Sequence, residues 1–294
     1  MPQKNIADYP EFSGITLDLR SFLHPLFREL EGAISEFTFA NIYLFRETHN
    51  YRISRITEEL LVISGEDKEG SFFMLPFGFP EKKVLRELFE KFSFMKNASE
   101  KQAQMLSESG FAAEEDRNNF DYLYLRNEMI ALSGRRFHRK KNLVNFFTDR
   151  YLCTGEPFSG EHVADALRIL DEWKKGREAP GDYYAAKEAI ESFSELELSG
   201  TMYFVEGGAA AYVLGEELNP ETFVIHFEKG AGEYKGLLQF VNQSVASALP
   251  ERYRFINREQ DLGDAGLKRS KLSYRPCGFI KKYRVAGPGM IHGV

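Results

Sequence analysis

Residues 202–256 read MYFVEGGAAAYVLGEELNPETFVIHFEKGAGEYKGLLQFVNQSVASALPERYRFI, and this stretch decides the fold. Three runs rich in β-branched and aromatic residues predict consecutive strands, separated by the turns GG and LNP: Met202 to Glu206, Ala209 to Gly215 and Thr222 to Glu228. A glycine-rich loop follows, and then a helix with apolar residues at helical spacing: Leu237, Leu238, Val241, Val245 and Leu249. A short strand from Tyr253 to Ile256 comes next, and this alternation of strands and helices is typical of an α/β unit.

Two amphipathic helices are predicted before these strands. One covers residues 160–174 behind Ser159 as a candidate N-cap, and Asp182 is the candidate N-cap of the other. A short helix and a final strand over residues 278–285 close the chain. The whole order, α, α, β, β, β, glycine loop, α, β, α, β, resembles the GNAT acyltransferase fold. In that fold the loop before the third helix offers backbone N–H groups to a pyrophosphate.

The first half has a related but weaker pattern. It predicts four strands, then a helix opened by Pro80, and then a long basic helix over residues 127–151; the strands are residues 39–45, 52–56, 60–64 and 72–76. A chain of 294 residues is long enough for two cores. We therefore predict an α/β (α+β) protein of two tandem GNAT-like domains, each a mixed central sheet flanked by helices. The N-terminal domain is residues 1–155, and residues 156–294 carry the active site.

Composition places the chain among ordinary globular proteins. Apolar residues make 43% and charged residues 28% of it, which excludes fibrous and disordered classes. The two cysteines, Cys153 and Cys277, lie far apart and outside any metal-ligand spacing, so neither a disulfide framework nor a metal site is predicted. No signal peptide and no apolar run of membrane-spanning length is found, so we expect a cytoplasmic protein.

Positive charge is concentrated in two strips. Residues 257–284 carry eight basic and three acidic side chains, and residues 135–141 (RRFHRKK) carry five basic ones, although the net charge of the chain is −6. The other 259 residues therefore carry a net charge of −16. Because local phosphate contacts do not depend on global charge, the strips predict a phosphorylated ligand. Interleaved aromatic residues are candidates for stacking on bases, although core packing is the commoner role of a single aromatic side chain.

The glycine loop has only part of the acetyl-coenzyme A signature. Gly230 and Gly232 fit that signature, but Phe227 stands where Arg or Gln is required, and Glu228 should repel a pyrophosphate. We predict Gly230, Gly232 and Gly236 as a phosphate-binding loop. A simple flexible turn is the alternative.

Three segments resemble the DUF2156 family, whose members are relatives of the catalytic C-terminal domain of phosphatidylglycerol lysyltransferase. They are YRFINREQDLGDAGLKRSKLSYRPCGFIKKY (253–283), GRRFHRKKNLVNFF (134–147) and FTFANIYLFR (37–46). The resemblance covers nearly the whole chain, and NREQDLG and KLSYRP are its specific runs. It implies two tandem GNAT-like domains akin to the Fem peptidyltransferases, and transfer of an aminoacyl group from aminoacyl-tRNA to an amine or hydroxyl. The best-known relatives also carry a multi-span membrane flippase, which we do not expect here.

The resemblance also implies roles for individual residues. Lys271 would be the cation beside the leaving ribose oxygen, and Arg275 and Lys281 would clamp phosphate. Asp261 would anchor the substrate amino group or act as the base. His226 is the other candidate base, because a neutral imidazole suits that task. The remaining predicted substrate-binding residues are Asn257, Arg258, Tyr274 and Lys282.

Three functions stay open at this point. The first is an aminoacyl-tRNA-dependent transferase that needs no cofactor, with a lipid, peptide or small-molecule acceptor. Such an acceptor includes a phospholipid headgroup, for which the protein would sit at the membrane periphery. The second is an N-acetyltransferase that uses acetyl-coenzyme A. The third is a non-catalytic module that binds tRNA or another phosphate ligand.

Overall fold

The computed structural model describes residues 5–175, 177 and 179–287. Within them the α-helices are α1 (Arg20–Arg28), α2 (Phe39–Leu44), α3 (Lys82–Lys91), α4 (Glu100–Glu108), α5 (Arg126–Ala131), α6 (His138–Thr148), α7 (Val163–Lys174), α8 (Tyr183–Glu191), α9 (Leu237–Ala248) and α10 (Ala265–Leu272). The strands are β1 (Ser13–Gly14), β2 (Arg52–Arg55), β3 (Leu61–Asp67), β4 (Gly70–Met74), β5 (Phe94–Ala98), β6 (Ala112–Glu115), β7 (Asp121–Leu125), β8 (Cys153–Pro157), β9 (Ser199–Val205), β10 (Gly208–Asn219), β11 (Thr222–Gly230), β12 (Phe255–Asn257), β13 (Gly278–Ile280) and β14 (Tyr283–Ala286). None of the helices in these residues is long and apolar enough to cross a membrane.

The chain forms two compact units whose boundaries do not follow the halves of the sequence. The first unit comprises the chain up to Asp121 and again from Ile280 onward, and the second comprises Tyr122–Phe279. The predicted boundary at residue 155 falls inside the second unit, within β8. Gly155 pairs there with Tyr203 of β9, which places β8 at the edge of the second sheet.

The second unit is built on a mixed sheet with strand order β13-β7-β12-β11-β10-β9-β8. β11 and β12 run parallel, whereas β12 is antiparallel to β7. α9 packs on one face, where Val241 and Val245 join Phe223 and Ile225 in the core. α7 contacts β10 and β11 as well. The second half therefore forms the predicted mixed sheet flanked by helices.

The first unit repeats this plan with the order β1-β2-β3-β4-β5-β14-β6. Its parallel pair is β4 and β5, and the core around that pair contains Phe73, Leu88, Phe89 and Met95. β14, the last strand within the described residues, lies antiparallel to β5 and inside the sheet. In the second unit β7, from the first half of the sequence, is the antiparallel neighbour of β12. Each half of the chain therefore supplies one strand to the other half's sheet.

Several local predictions are confirmed and several are wrong. The strands β2, β3, β4, β9, β10, β11 and β12 and the helices α3, α7, α8, α9 and α10 form where the patterns predict them, within a few residues at each end. Residues 39–45 were predicted as a strand but form α2, because Thr38 Oγ1 accepts the Asn41 N–H at 3.0 Å and caps a helix. A short buried apolar run fits either structure, so periodicity alone does not separate them.

Two predicted elements are interrupted. The basic helix over residues 127–151 is divided into α5 and α6, because Leu132 and Gly134 adopt positive φ angles of 41° and 83°. The final strand over residues 278–285 is divided into β13 and β14, which belong to different sheets. Among the elements that the sequence pattern did not predict are α1, α4, β5, β6, β7 and β8.

Candidate active site

The parallel strands β11 and β12 separate after three paired residues. Their register ends at Val224 opposite Asn257, while β11 continues along β10 to Gly230. Beyond Asn257 the chain stays with β7, since the Arg258 N–H donates to the Tyr122 carbonyl at 3.0 Å. The strands thus diverge and leave a split in the sheet. In open α/β sheets such a point beyond the strand ends is a common place for a ligand.

A β-bulge in β11 decides which side chains face the split. Leu214 pairs with Phe227 and Gly215 with Ile225, so β11 has one extra residue there, His226. The bulge reverses the alternation of side chains. In a regular strand Ile225 and Glu228, three residues apart, would lie on opposite faces of the sheet. Because of the bulge, both lie on the face covered by α9, where Asn242 donates to Glu228 Oε1 at 2.8 Å. Lys229 lies on the opposite face, with its Nζ 2.7 Å from Asp182.

An ion pair spans the split. Arg258 donates to Glu228 Oε2 at 3.0 Å, and the two side chains are 15% and 13% exposed. The guanidinium carbon lies 5.3 Å from the centroid of the Tyr274 ring and 5.9 Å from that of Tyr124. Burial lowers the pKa of Arg258, but the charge and hydrogen bond of Glu228, together with the neighbouring Tyr124 and Tyr274, outweigh burial, and the pKa of Arg258 is raised. The arginine therefore stays charged in a site shielded from water.

Lys140 of α6 adds a second cation beside this pair. Its Nζ lies 4.0 Å from the centroid of the Tyr274 ring. Burial, together with the charge of Arg258, lowers the pKa of Lys140 to about 8, and Glu228 opposes the shift. A lysine with such a pKa exchanges a proton near neutral pH. We call Lys140, Glu228, Arg258, Tyr124 and Tyr274 the ionic cluster.

Lys271 and Asp261 hold the loop that carries Arg258. Lys271 is 9% exposed, and its Nζ donates to the carbonyl oxygens of Arg258 and Glu259, the latter at 3.2 Å. Asp261 is fully buried and accepts from the Tyr122 hydroxyl and from the Gly263 N–H at 2.9 Å. The predicted catalytic roles of both residues stay predictions. Their contacts fix the backbone of residues 258–263, which we call the Arg258 loop.

His226 is enclosed by two carboxylates. Its Nδ1 lies 2.8 Å from Glu259 Oε1 and its Nε2 3.0 Å from Glu216 Oε1. Burial opposes the charged imidazole, but the hydrogen bonds and charges of Glu216 and Glu259 raise the pKa of His226 to about 10. The ring is protonated at neutral pH and donates from both nitrogens. This environment does not fit the predicted role as a neutral base, and it ties Glu259 to β10 and β11.

The other predicted substrate-binding residues are divided between the two units. In the second unit Asn257 is fully buried, with its Oδ1 2.8 Å from the Glu259 N–H, and Arg275 is exposed. In the first unit Lys281 pairs with Glu115 at 2.6 Å. Lys282 is fully buried there between Glu36 and Asp121, so its ammonium has no surface at which to clamp a phosphate. The C-terminal strip is therefore divided between the two units.

The three predicted loop glycines have different surroundings. Gly236 precedes α9 with a φ of 96°, and a Cβ added to it would lie 2.3 Å from the Leu143 carbonyl oxygen. A Cβ on Gly230 would lie 2.9 Å from Leu238, whereas nothing lies within 4 Å of one built on Gly232. Gly236 thus serves close packing of the loop on α6. A phosphate-binding role for the loop stays a prediction.

Sequence reasoning missed most of the ionic cluster. The sequence indicates Lys140 only as part of a basic strip, and Glu228 only as a carboxylate that repels phosphate. Tyr124 lies in β7, a strand that the pattern did not predict, and Asn242 lies in the middle of α9. A polar asparagine on the apolar face of a helix was the one local signal available.

The first unit also has buried charges beside its parallel pair of strands. The pairing of β4 with β5 joins Phe72 to Phe94, and both side chains are buried. Lys96, which follows the paired residues of β5, is buried as well, and its Nζ lies 2.7 Å from Asp67 Oδ2 and 4.5 Å from the centroid of the Phe72 ring. A buried ion pair beside aromatic rings therefore occurs in both units.

Comparisons with known proteins agree with this architecture. The profile of the family described as "Phosphatidylglycerol lysyltransferase, C-terminal" matches residues 27–286. The fold is similar to that of a conserved protein of unknown function from Bacteroides thetaiotaomicron VPI-5482, with 30% identity, a TM-score of 0.85, and 93% of this chain and 98% of that chain covered.

More distant likenesses show the fold alone. L-PGS from Bacillus licheniformis has a TM-score of 0.65 at 15% identity, with 97% of this chain and 94% of that chain covered. FemX has a TM-score of 0.57 at 9% identity, with 93% and 96% covered. An uncharacterised protein of Mycoplasmoides gallisepticum (strain R(low / passage 15 / clone 2)) is 25% identical over 177 residues, or 56% of this chain. The match spans 55% of that relative's length. These likenesses confirm the predicted tandem GNAT-like fold, and FemX has a similar fold.

Proposed function

Because the chain belongs to the family of phosphatidylglycerol lysyltransferase C-terminal domains, we propose that it transfers an aminoacyl group from aminoacyl-tRNA to an amine or hydroxyl acceptor. Family and fold both point to an acyltransferase. The aminoacyl-tRNA donor is our proposal. It is supported by the absence of the Arg or Gln of the coenzyme A signature, whose place Phe227 takes, and by the acidic Glu228 directly before the glycine loop.

The ionic cluster at the split of β11 and β12 is the observation that carries the proposal. Two cations and one carboxylate lie together among aromatic rings. Removing these charges from water costs free energy, which a purely structural role would not require.

The ionic cluster needs to supply little catalysis, because an aminoacyl ester is already activated for acyl transfer. The acceptor nitrogen or oxygen attacks the ester carbonyl carbon, and its proton passes to the neutral amine of Lys140. Arg258, held by Glu228, offers N–H groups to the oxyanion that develops. The bond to the ribose oxygen then breaks, and that oxygen takes the proton back from Lys140. In this scheme Lys271 and Asp261 hold Arg258 in place through their hydrogen bonds to the backbone of the Arg258 loop.

Release of label from aminoacyl-tRNA tests the proposal. The purified protein is incubated with radiolabelled aminoacyl-tRNAs and a cell extract, and label leaving the tRNA is followed. Arg258→Lys is expected to slow transfer about 10²-fold, because a lysine does not reproduce the guanidinium fork. Arg254→Lys, at an exposed arginine stacked on Phe255, is the matched control and should change the rate less than about twofold.

Two outcomes would contradict the proposal. Label that moves only from acetyl-coenzyme A would favour the N-acetyltransferase, for which the glycine loop before α9 is the supporting feature. Binding of tRNA with no release of label would indicate the non-catalytic module. The acceptor is identified in the same experiment, by whether label enters lipid, peptide or a small molecule. A phospholipid acceptor at the membrane periphery is the choice suggested by the family's name.

A further inference from the structure

We infer that Lys140 is a site of covalent acylation by acyl phosphates and that this modification inactivates the ionic cluster; the second part rests on the proposed function. Lys140 lies in the first turn of α6, and its side chain is half-buried. Its Nζ lies 4.0 Å from the centroid of the Tyr274 ring, and the guanidinium carbon of Arg258 lies 5.3 Å from the same centroid. The amine is therefore held at the split, close to a second cation, and still reaches solvent.

Lys140 has no carboxylate partner within the described residues. The nearby carboxylate of Glu228 accepts hydrogen bonds from Arg258 and Asn242 instead. Three buried lysines elsewhere in the protein each have a carboxylate oxygen 2.7 Å from Nζ: Lys96, Lys229 and Lys282. The surroundings of Lys140 thus withdraw its ammonium from water without the carboxylate that compensates these other lysines.

This environment makes the neutral amine of Lys140 abundant near neutral pH. Burial and the charge of Arg258 lower the pKa of Lys140 to about 8, although Glu228 opposes the shift. About a quarter of such a side chain is neutral at pH 7.5, compared with about 0.1% of a lysine with the ordinary pKa of about 10.4. A lysine that is desolvated beside another cation is an activated nucleophile. The amine that accepts a proton in the proposed transfer can therefore also attack an activated acyl group.

An acyl phosphate is the donor that suits these charges. Arg258 stays charged when Lys140 is neutral, so an anionic donor meets a cation beside the attacking amine. The Lys140 nitrogen attacks the carbonyl carbon and forms a C–N bond. The bond from that carbon to the phosphate oxygen breaks, and its electron pair leaves on the phosphate. The amine proton also passes to the phosphate, so the products are an acylated lysine and inorganic phosphate.

The modification removes what the ionic cluster needs from Lys140. An acylated lysine is a neutral amide, which neither accepts a proton near neutral pH nor binds the Tyr274 ring as a cation. In the proposed transfer the proton of the acceptor then has no base to which it can pass. Transfer should therefore fall in proportion to the acylated fraction of Lys140.

Acetyl phosphate is the probe, and Lys141 is the internal reference. Lys141 is the neighbour of Lys140 in α6 and is exposed. The purified protein is incubated with acetyl phosphate at pH 7.5, and acetylation of each lysine is followed over time by mass spectrometry of chymotryptic peptides. Lys140 is expected to react about 10-fold faster than Lys141, because its larger neutral fraction outweighs the lower basicity and accessibility of its amine. Equal or slower reaction of Lys140 would overturn the inference.

The pH dependence and a charge variant test the cause of the selectivity. The ratio of the two rates should fall at least about 5-fold between pH 7.5 and 9.5, because a lysine with a lowered pKa becomes fully neutral first. Arg258→Gln should slow the reaction of Lys140 about 5-fold and leave that of Lys141 unchanged, because the pKa of Lys140 rises when the nearby positive charge is removed. Arg254→Gln, at an exposed arginine, is the matched control. A ratio that does not change with pH, or equal effects of the two variants, would contradict the inference.

Mass spectrometry detects the modification whether or not the protein is a transferase. Selective acetylation of Lys140 in a protein that never releases label from aminoacyl-tRNA would support the modification site and reject the proposed function. Release of label together with equal acetylation of Lys140 and Lys141 would reject the modification site alone. Transfer that continues at full rate when Lys140 is completely acetylated would reject the inactivation.

Discussion

Arg258 and Glu228 show how much depends on one side-chain contact. Glu228 lies in β11 beyond the residues that pair with β12, and Arg258 directly follows β12. Their 3.0 Å contact therefore bridges the part of the sheet where no backbone pairing joins β11 to β12. Removing one partner would leave the other as an uncompensated buried charge. The pair therefore holds the split at a defined width as well as providing a cation.

His226 also stabilises the residues beside the split, through its contacts with Glu216 and Glu259. Because the pKa of His226 in the folded protein is raised to about 10, well above the ordinary 6.5, its contribution to stability is complete below about pH 6.5. The contribution falls as the pH rises through 10. His226→Gln is expected to lower the free energy of unfolding by about 3 kcal/mol near pH 6, because Glu216 and Glu259 lose their shared cation.

Urea unfolding at pH 6, 8 and 9.5 measures this effect. The difference between His226→Gln and the unmodified protein should shrink steadily as the pH rises. His138→Gln, at an exposed histidine of α6, is the control. A difference that stays constant or grows with pH would contradict a protonated His226.

At the scale of elements, the bulge in β11 and the entry to α9 decide the site. The bulge places Glu228 on the α9 face, and α9 supplies Asn242 to meet it. The position of α9 depends in turn on Gly236, where the loop passes close to α6. Local backbone geometry thus controls the distance between Glu228 and its partners.

Gly236→Ala tests this dependence. Gly236 has a φ of 96°, and a Cβ would lie 2.3 Å from the Leu143 carbonyl oxygen, so we expect a loss of about 1–3 kcal/mol in the free energy of unfolding. Gly232→Ala is the matched control in the same loop, because its Cβ would meet nothing within 4 Å, and should cost less than about 0.5 kcal/mol. Urea denaturation measures both variants. Similar effects would refute the close approach of loop and helix.

At the scale of the whole molecule, the chain leaves the first unit at Asp121 and returns to it at Ile280. One buried cluster in the first unit contains residues from both ends of this excursion, Asp121 and Lys282. Lys282 donates to Glu36 and, at 2.7 Å, to Asp121, and Ser35 donates to Asp121 from its hydroxyl and its N–H. Burial raises the pKa of Asp121 despite the nearby charge of Lys282. This cluster joins the end of the first segment to the returning strand.

Lys282→Met should destabilise the first unit by about 3–5 kcal/mol, because Glu36 and Asp121 would be left as buried carboxylates without their cation. Lys281→Met is the matched neighbour: its side chain is 42% exposed and pairs with Glu115 at the surface, so the loss of stability should be much smaller than that of Lys282→Met. Hydrogen exchange in β5 and β6, which flank β14, reports the effect. Equal protection in the two variants would argue against the cluster.

Much of the second unit could be predicted locally. β9 to β11, α7, α8 and α9 follow from alternation and helical spacing, because each buries one face within its own segment. The ionic cluster could not, because Lys140, Glu228 and Arg258 are separated by 88 and 30 residues in the sequence and meet only when α6 packs beside the split. A bulge of one residue also has no reliable local signature, although it reverses every later side chain of β11.

The sequence by itself determined most element types of the second unit, the tandem plan and the family, because these depend on residue periodicity and on motifs within short segments. Only the tertiary structure decided that Lys271 and Arg258 belong to one unit and Lys282 to the other, although all three lie in one basic strip. The reason is that β13 and β14 are two residues apart yet join different sheets. Strand pairing is a contact between distant segments, and it determines which of these charges are buried in the same unit.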